Sequence, residues 1–196
     1  MLTFKKLLPL GVTGVLALSG VTAAGAAVTA TPAAHHDAVV HSLRAKAVKY
    51  HRVVFAGSYK GTIAMLWSSS SVKATSVHGT GVGTLLGHGI LNGTGTAATA
   101  STCDPLSGTG YLLGSGSKLL IRVVSSSKTQ ACAASDSAPT TVTVSGVASV
   151  INGTGKYVGA HGTLSFKGSF QIQSNKAGSS EKDSFSATLH GALLVR

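Results

Sequence analysis

The sequence is short of charged residues, and acidic residues are the scarcest of them. Only 11% of the 196 residues are charged, against about 25% in an average soluble domain, and Asp and Glu together number five. The scarcity of Glu, Lys and Leu excludes a coiled coil. An intrinsically disordered polar chain is also excluded, because 43% of the residues are hydrophobic. The length suits one domain of ordinary size.

The common sequence signatures of catalysis are also missing. The chain contains no G-x-S-x-G serine elbow and no glycine-rich phosphate-binding string followed by a helix. Nothing indicates the rigid pair of carboxylates that a glycosidase needs, since four carboxylates fall in predicted loops or at a strand edge: Asp104, Asp136, Glu181 and Asp183. We therefore assign no catalytic residue and no cofactor. A Ser-His-Asp triad assembled from distant positions is the alternative.

Residues 1–26 predict a secretory signal peptide. Lys5 and Lys6 precede an apolar run, 7–18, and Ala24-Gly25-Ala26 has the small-residue pattern of a cleavage site. The apolar run is shorter than the ~20 residues that a membrane anchor, the alternative, requires. We expect a secreted, extracellular protein that does not span the membrane.

A flexible, Ala-rich arm is predicted over 27–50. It carries the sequence HHDxxxH, formed by His35, His36, Asp37 and His41, which could hold Zn, Cu or Ni on a helix. A flexible site loses conformational entropy when it binds a metal, so we expect a solvated arm and assign no metal site.

The two cysteines, Cys103 and Cys132, predict a disulfide, because an exported chain meets an oxidising compartment. Two buried thiols or a metal site are the alternatives, and the lack of a C-x-x-C spacing disfavours zinc.

The basic excess suggests anionic partners. Sixteen Lys and Arg residues against five acidic ones give a net charge of +11. Anionic cell-envelope polymers fit this balance in an exported protein. Nucleic acid is not expected, because the chain contains no RNA-binding aromatic motif and no zinc finger.

From about residue 51 the hydrophobic pattern has a period of two. The stretch LSFKGSFQIQ, 164–173, alternates almost without exception, and similar patterns occur at 59–67, 119–123, 142–150 and 185–195. Less regular strands are expected within 75–87, 88–99 and 110–117, with loops at 68–71, 102–107, 125–139 and 174–182. We predict an all-β domain, 51–196, in which about eight antiparallel strands close into a β-barrel. A β-sandwich is the alternative.

A four-residue unit that ends in Gly-Thr-Gly recurs along this domain. It reads HGTG at 78–81, NGTG at 92–95, SGTG at 107–110 and NGTG at 152–155. Because Asn and Gly tolerate positive φ, each unit is predicted to be a hairpin turn.

The segment INGTGKYVGAHGTLSFKGSF, 151–170, resembles a stretch of the allene oxide cyclase-like and dirigent-like barrels. The matching positions are Gly153, Thr154, Gly155, Lys156, Tyr157, Gly159, Ala160 and Gly162. The resemblance implies an eight-stranded antiparallel barrel with a central cavity and a homo-oligomer, often a trimer. The acidic motif of dirigent chemistry and the cyclase constellation have no counterpart here.

These observations favour a secreted barrel that binds a small apolar or amphipathic ligand. Phe166, Phe170 and Phe185 lie on the cleanest alternating strands and are predicted to line the pocket. His190 could orient a ligand if the polar face of its strand pointed inward, and a solvent-facing histidine is the alternative. With few carboxylates on the strands, the pocket is expected to prefer neutral or anionic molecules. The alternatives are a surface module that contacts anionic envelope polymers, and a cyclase-like or isomerase-like enzyme.

Overall fold

The computed structural model describes residues 48–126 and 128–196. The predicted signal peptide, the HHDxxxH motif and almost all of the predicted arm lie outside the described residues. The described part of the chain forms nine strands and one 3-10 turn, Gly155–Tyr157. The strands are β1 His51–Trp67, β2 Ser71–Gly83, β3 Gly87–Ala98, β4 Cys103–Gly114, β5 Ser117–Val123, β6 Gln130–Ala133, β7 Thr140–Gly153, β8 His161–Ile172 and β9 Ser180–Val195. None of the described residues belongs to a helix long and apolar enough to span a bilayer.

Eight of the strands close into an antiparallel barrel, which confirms the predicted fold and excludes the sandwich. The strand order is β3-β2-β1-β9-β8-β7-β5-β4, and pairing of β3 with β4 completes the ring. The ninth strand, β6, pairs with β4 and β7 beyond the point where the short β5 ends. Strands β5 and β6 therefore share one position in the barrel wall.

The alternation of β8 matches the observed register with its neighbours. Leu164 is buried, and Phe166 and Phe170 lie on the same strand face. Phe166 is paired with Leu189 of β9, and Phe170 with Phe185. Because directly paired residues point to the same side of a sheet, these apolar side chains meet inside the barrel.

Two of the predicted loops are partly wrong. The predicted loop 102–107 lies almost entirely in β4, and the predicted loop 125–139 contains β6. Both segments consist of small residues or include Pro105, so their local pattern indicates no strand. Their conformation depends on distant partners, because β6 lies between β4 and β7.

The prediction that each Gly-Thr-Gly unit is a hairpin turn is wrong for three of the four units, which lie within β2, β3 and β4. The glycines of β3 and β4 face one another, since Gly93 is paired with Gly110 and Gly95 with Gly108. A Cβ atom on Gly110 would lie only 2.4 Å from the carbonyl oxygen of Asn92. The neighbouring backbone thus occupies the place of a side chain, and these glycines permit the sharp strand bending that a small barrel requires.

One end of the barrel is filled with large side chains, and we call it the closed end. The connection between β7 and β8, which belongs to the segment 151–170, covers this end. There the Tyr157 hydroxyl donates a hydrogen bond to the carbonyl oxygen of Leu85, and Asn152 Oδ1 accepts one from the Gly159 amide. All seven of the largest fully buried side chains lie in this half: Phe55, Tyr59, Leu86, Leu112, Leu119, Leu164 and Leu193.

Candidate functional site: a cavity in the open half of the barrel

The other half of the barrel interior contains a cavity of about 630 Å³. All nine strands contribute to its wall, mostly with aliphatic and aromatic side chains. The cavity reaches solvent at the end of the barrel opposite the closed end, where exposed residues of the connecting loops line it, among them Ser68, Thr99 and Ser135. We call this the open end.

The cavity owes its volume to small residues at inward-facing positions. Gly93, Gly95, Gly108 and Gly110 form a stretch of wall that has no side chains. Alanines contribute further space on β2, β6, β7 and β9: Ala74, Ala131, Ala133, Ala148 and Ala187. Small inward-facing residues therefore leave space in this half of the barrel, although large side chains such as Trp67 and Phe170 also line it.

The structure brings the three predicted aromatic residues together at this cavity. Phe166, Phe170 and Phe185 all line it, on the adjacent strands β8 and β9. Phe170 and Phe185 are directly paired between β8 and β9, so both side chains lie on the same part of the cavity wall.

The suggestion that His190 orients a ligand is not supported by its position. Its side chain is exposed on the outer face of β9, between the inward-facing residues Leu189 and Gly191. The polar face of this strand points to solvent, so His190 does not line the cavity. None of the described histidines contributes to the cavity wall.

Trp67 and Glu181 form a link at the rim of the cavity that the sequence analysis missed. Trp67 lines the cavity, and its indole Nε1 donates a hydrogen bond to Glu181 Oε1 at 3.0 Å. The other carboxylate oxygen accepts hydrogen bonds from the backbone amides of Gln173 and Ser174. Glu181 thus ties the loop between β8 and β9 to β1. The sequence signal that could have indicated this link is Trp67 itself, the only tryptophan of the chain, at the end of an alternating strand.

Two carboxylates lie at the mouth of the cavity. Asp104 is 7% exposed, and both of its oxygens accept hydrogen bonds from Ser101, one from the amide and one from the hydroxyl. Asp136 is exposed in the loop between β6 and β7. Both residues line the cavity, whereas no Lys, Arg or His among the described residues does.

A further carboxylate, Asp183, lies on the same face of β9 as Phe185. Its Oδ2 atom is buried and has no hydrogen-bond partner among the described residues. Burial raises the pKa of the Asp183 carboxyl above its usual range, and repulsion from the nearby Glu181 carboxylate raises this pKa further. The expectation that carboxylates avoid the strands is therefore wrong, because Asp104, Glu181 and Asp183 all lie in strands.

The predicted disulfide between Cys103 and Cys132 is present. The two cysteines are directly paired between β4 and β6, with Cα atoms 4.0 Å apart. Ala131 and Ala133, the neighbours of Cys132, line the cavity. The disulfide therefore holds the shortest strand, and with it one part of the cavity wall, in place.

A second, shallower feature lies on the outer face of β2 to β5. It is a groove of about 300 Å³ with Lys73 and Arg122 among its lining residues and no carboxylate. Hydroxyl groups of neighbouring strands complete it: Thr94, Thr96, Ser107 and Thr109. Two cations and several hydroxyls on a glycine floor can contact an anionic group.

The described residues contain no group of three His, Cys, Asp or Glu side chains that could hold a metal ion. Comparison of the chain with protein-family models, with curated proteins and with solved structures finds no match. The resemblance to the allene oxide cyclase-like and dirigent-like barrels therefore stays a prediction, and the function has to be argued from the cavity itself.

Proposed function

We propose that this protein binds a small apolar or amphipathic ligand inside the open half of its barrel. The observation that carries the proposal is the cavity, whose volume of about 630 Å³ is that of an ordinary small-molecule site. Its wall is largely apolar with a few polar groups at the mouth, as in most ligand sites. The predicted signal peptide and the disulfide both suit a role outside the cytoplasm.

The contrast between the two halves supports a binding site over an imperfectly packed core. Strand β1 alone supplies Phe55 and Tyr59 to the closed end, where both are almost fully buried. Where β3 and β4 pass the cavity, by contrast, each strand has glycine at two successive inward positions. A barrel of eight strands can be filled completely by its side chains, so the empty half reflects the choice of residues and not the fold.

A fluorescent probe of the cavity tests this proposal. N-phenyl-1-naphthylamine is neutral and apolar, and its emission rises when it leaves water. We expect saturable binding to the oxidised protein. The variant Ala187→Leu fills part of the cavity and should bind the probe about tenfold more weakly, the effect of ~1.4 kcal/mol of steric conflict.

The matched control is Ala192→Leu, on the same strand. Gly191 and Leu193 face the interior of the barrel, so Ala192, which lies between them, points outward. Its substitution should therefore leave probe binding unchanged. Equal binding by the wild type and by Ala187→Leu, or no saturable binding by the wild type, would contradict the proposal.

The outer groove supports a second candidate function, contact with an anionic polymer of the cell envelope. Lys73 and Arg122 provide the positive charge, and such contacts weaken with salt. Retention of the protein on isolated cell-wall material should fall in Lys73→Gln/Arg122→Gln. It should change less in Lys60→Gln/Lys167→Gln, which removes the same charge from exposed positions outside the groove. Equal loss in both variants would argue against a specific site.

An enzymatic activity finds less support in the geometry. Histidine, lysine and tyrosine side chains are all missing from the described cavity wall. An acid or base inside the cavity would therefore have to be Asp104 or Asp136.

A further inference from the structure

The acidic residues of this basic protein are concentrated at one place. The described part of the chain contains four carboxylates, Asp104, Asp136, Glu181 and Asp183, and all of them lie in the open half of the barrel. Two of the four line the cavity mouth. The protein as a whole carries a net charge of +11, whereas both charged side chains that line the cavity are acidic.

The two carboxylates at the mouth differ in what surrounds them. Asp104 is largely buried and accepts two hydrogen bonds from Ser101, which fix the position of its carboxylate. Asp136 is exposed, and the one described hydrogen bond at this residue goes to its backbone oxygen, from Asn175. The Asp136 carboxylate is therefore available to a ligand.

The positive charges of this end lie outside the cavity. The exposed cations of this end are Lys73, Arg122, Lys128, Lys176 and Lys182, and none of them lines the cavity. Charges exposed to solvent are screened within about 8–10 Å at physiological ionic strength, whereas the largely buried Asp104 interacts with a ligand in the cavity at short range and in a lower dielectric. The charge that a bound ligand meets first is consequently negative, despite the basic surface.

We propose that the preferred ligand is a cationic amphiphile, with an apolar body in the cavity and an ammonium-type group at the mouth beside Asp104 and Asp136. This inference rests on the proposed ligand-binding function and replaces the expected preference for neutral or anionic molecules. The apolar wall formed by Phe166, Phe170 and Phe185 contacts the body of the ligand. A carboxylate-bearing ligand of the same shape would bring two like charges together at the mouth and bind less well.

Three probes with one chain length separate the contribution of charge from that of the apolar body. Decylamine, decanol and decanoate are cationic, neutral and anionic at pH 7. Trp67 is the only tryptophan and lines the cavity, so its fluorescence reports occupancy directly. We expect decylamine to bind most tightly and decanoate least tightly, with at least about a tenfold difference between them.

The variant Asp136→Asn should weaken decylamine binding about fivefold and leave decanol within twofold, because it removes one partly solvated charge. The matched control Lys182→Gln changes an exposed charge of the same end and should alter decylamine binding less than twofold. Asp104→Asn should act in the same direction as Asp136→Asn, and near-UV circular dichroism checks that the surroundings of the aromatic side chains and of the adjacent Cys103–Cys132 disulfide are unchanged in it.

The outcomes separate this inference from the function on which it rests. If decanoate binds as tightly as decylamine, or if Asp136→Asn affects the three probes alike, the charge preference is wrong and the binding function stands. If none of the three probes changes the Trp67 signal, both the binding function and the charge preference are overturned.

Discussion

The unequal packing of the two barrel halves predicts an unusual order of stability losses within one strand. Leu164 and Phe170 both point inward from β8, but Leu164 is completely buried at the closed end and Phe170 lines the cavity. We expect Leu164→Ala to destabilise the protein more than Phe170→Ala, although phenylalanine is the larger side chain.

The magnitudes follow from what surrounds each side chain. Leu164→Ala leaves a new void among packed neighbours, which costs about 3–5 kcal/mol. Phe170 already borders a solvent-connected cavity, so its truncation adds no closed void. Complete burial of such a side chain contributes ~1.5–3 kcal/mol to the free energy of unfolding. Phe170→Ala removes only part of this contribution, about 1–2 kcal/mol.

Urea unfolding of the oxidised protein at pH 7 measures both values. The comparison requires that the free energy of unfolding falls with urea concentration at the same slope in the wild type and the variants. Gln171→Ala on the outer face of β8 is the matched control and should stay within about 0.5 kcal/mol of wild type. A loss in Phe170→Ala as large as that in Leu164→Ala would refute the reasoning, because it would mean that the open half is packed like a core.

Two further predictions concern the rim of the cavity. Because burial raises the pKa of Asp183, its ionised form opposes folding at neutral pH, so Asp183→Asn should increase the free energy of unfolding at pH 7. This gain should shrink as the pH falls through the raised pKa towards the ordinary value of 3.8, and a gain that grows on acidification would contradict the assignment. Replacing both Cys103 and Cys132 by alanine removes a cross-link with a sequence separation of 29 and should cost about 3.6 kcal/mol in urea unfolding. A loss below about 1 kcal/mol would show that β6 stays in place without its disulfide.

The residue pattern along the chain was sufficient to predict most of the strands, because a period of two is a local property of each strand, but it left a β-sandwich as the alternative to the barrel. The same pattern placed Phe166, Phe170 and Phe185 on one inward face. It failed for β6, Gln130–Ala133, which is only four residues long and is a strand because β4 and β7 lie on either side of it. A local pattern carries no information on such partners.

The position of the cavity could not be predicted for a related reason. The volume depends on which inward residues lie opposite one another after the barrel closes. The pairing of Gly93 with Gly110 leaves a wall without side chains, whereas each glycine alone was as compatible with a turn. The acidic mouth was missed in the same way, since Asp104 and Asp136 are distant in sequence and line the same cavity only once the barrel has formed.

The open end surrounds a cavity where the closed end is filled by side chains, and polar and covalent links hold its loops. The Trp67–Glu181 hydrogen bond fixes the loop between β8 and β9. The Cys103–Cys132 disulfide holds β6 against β4. Asp104 accepts a hydrogen bond from the Ser101 amide and so fixes the turn that precedes β4.

Hydrogen bonds and a disulfide of this kind do not depend on apolar side chains packed inside the cavity. They can therefore keep the mouth in shape when the cavity holds only water, whereas a mouth held by packing would collapse into the space. Under the proposed function, the cavity is formed before the ligand arrives, so binding does not have to include the entropy of ordering the loops. A preformed, largely apolar cavity with a rigid polar rim is what a small barrel needs in order to bind a ligand of limited size.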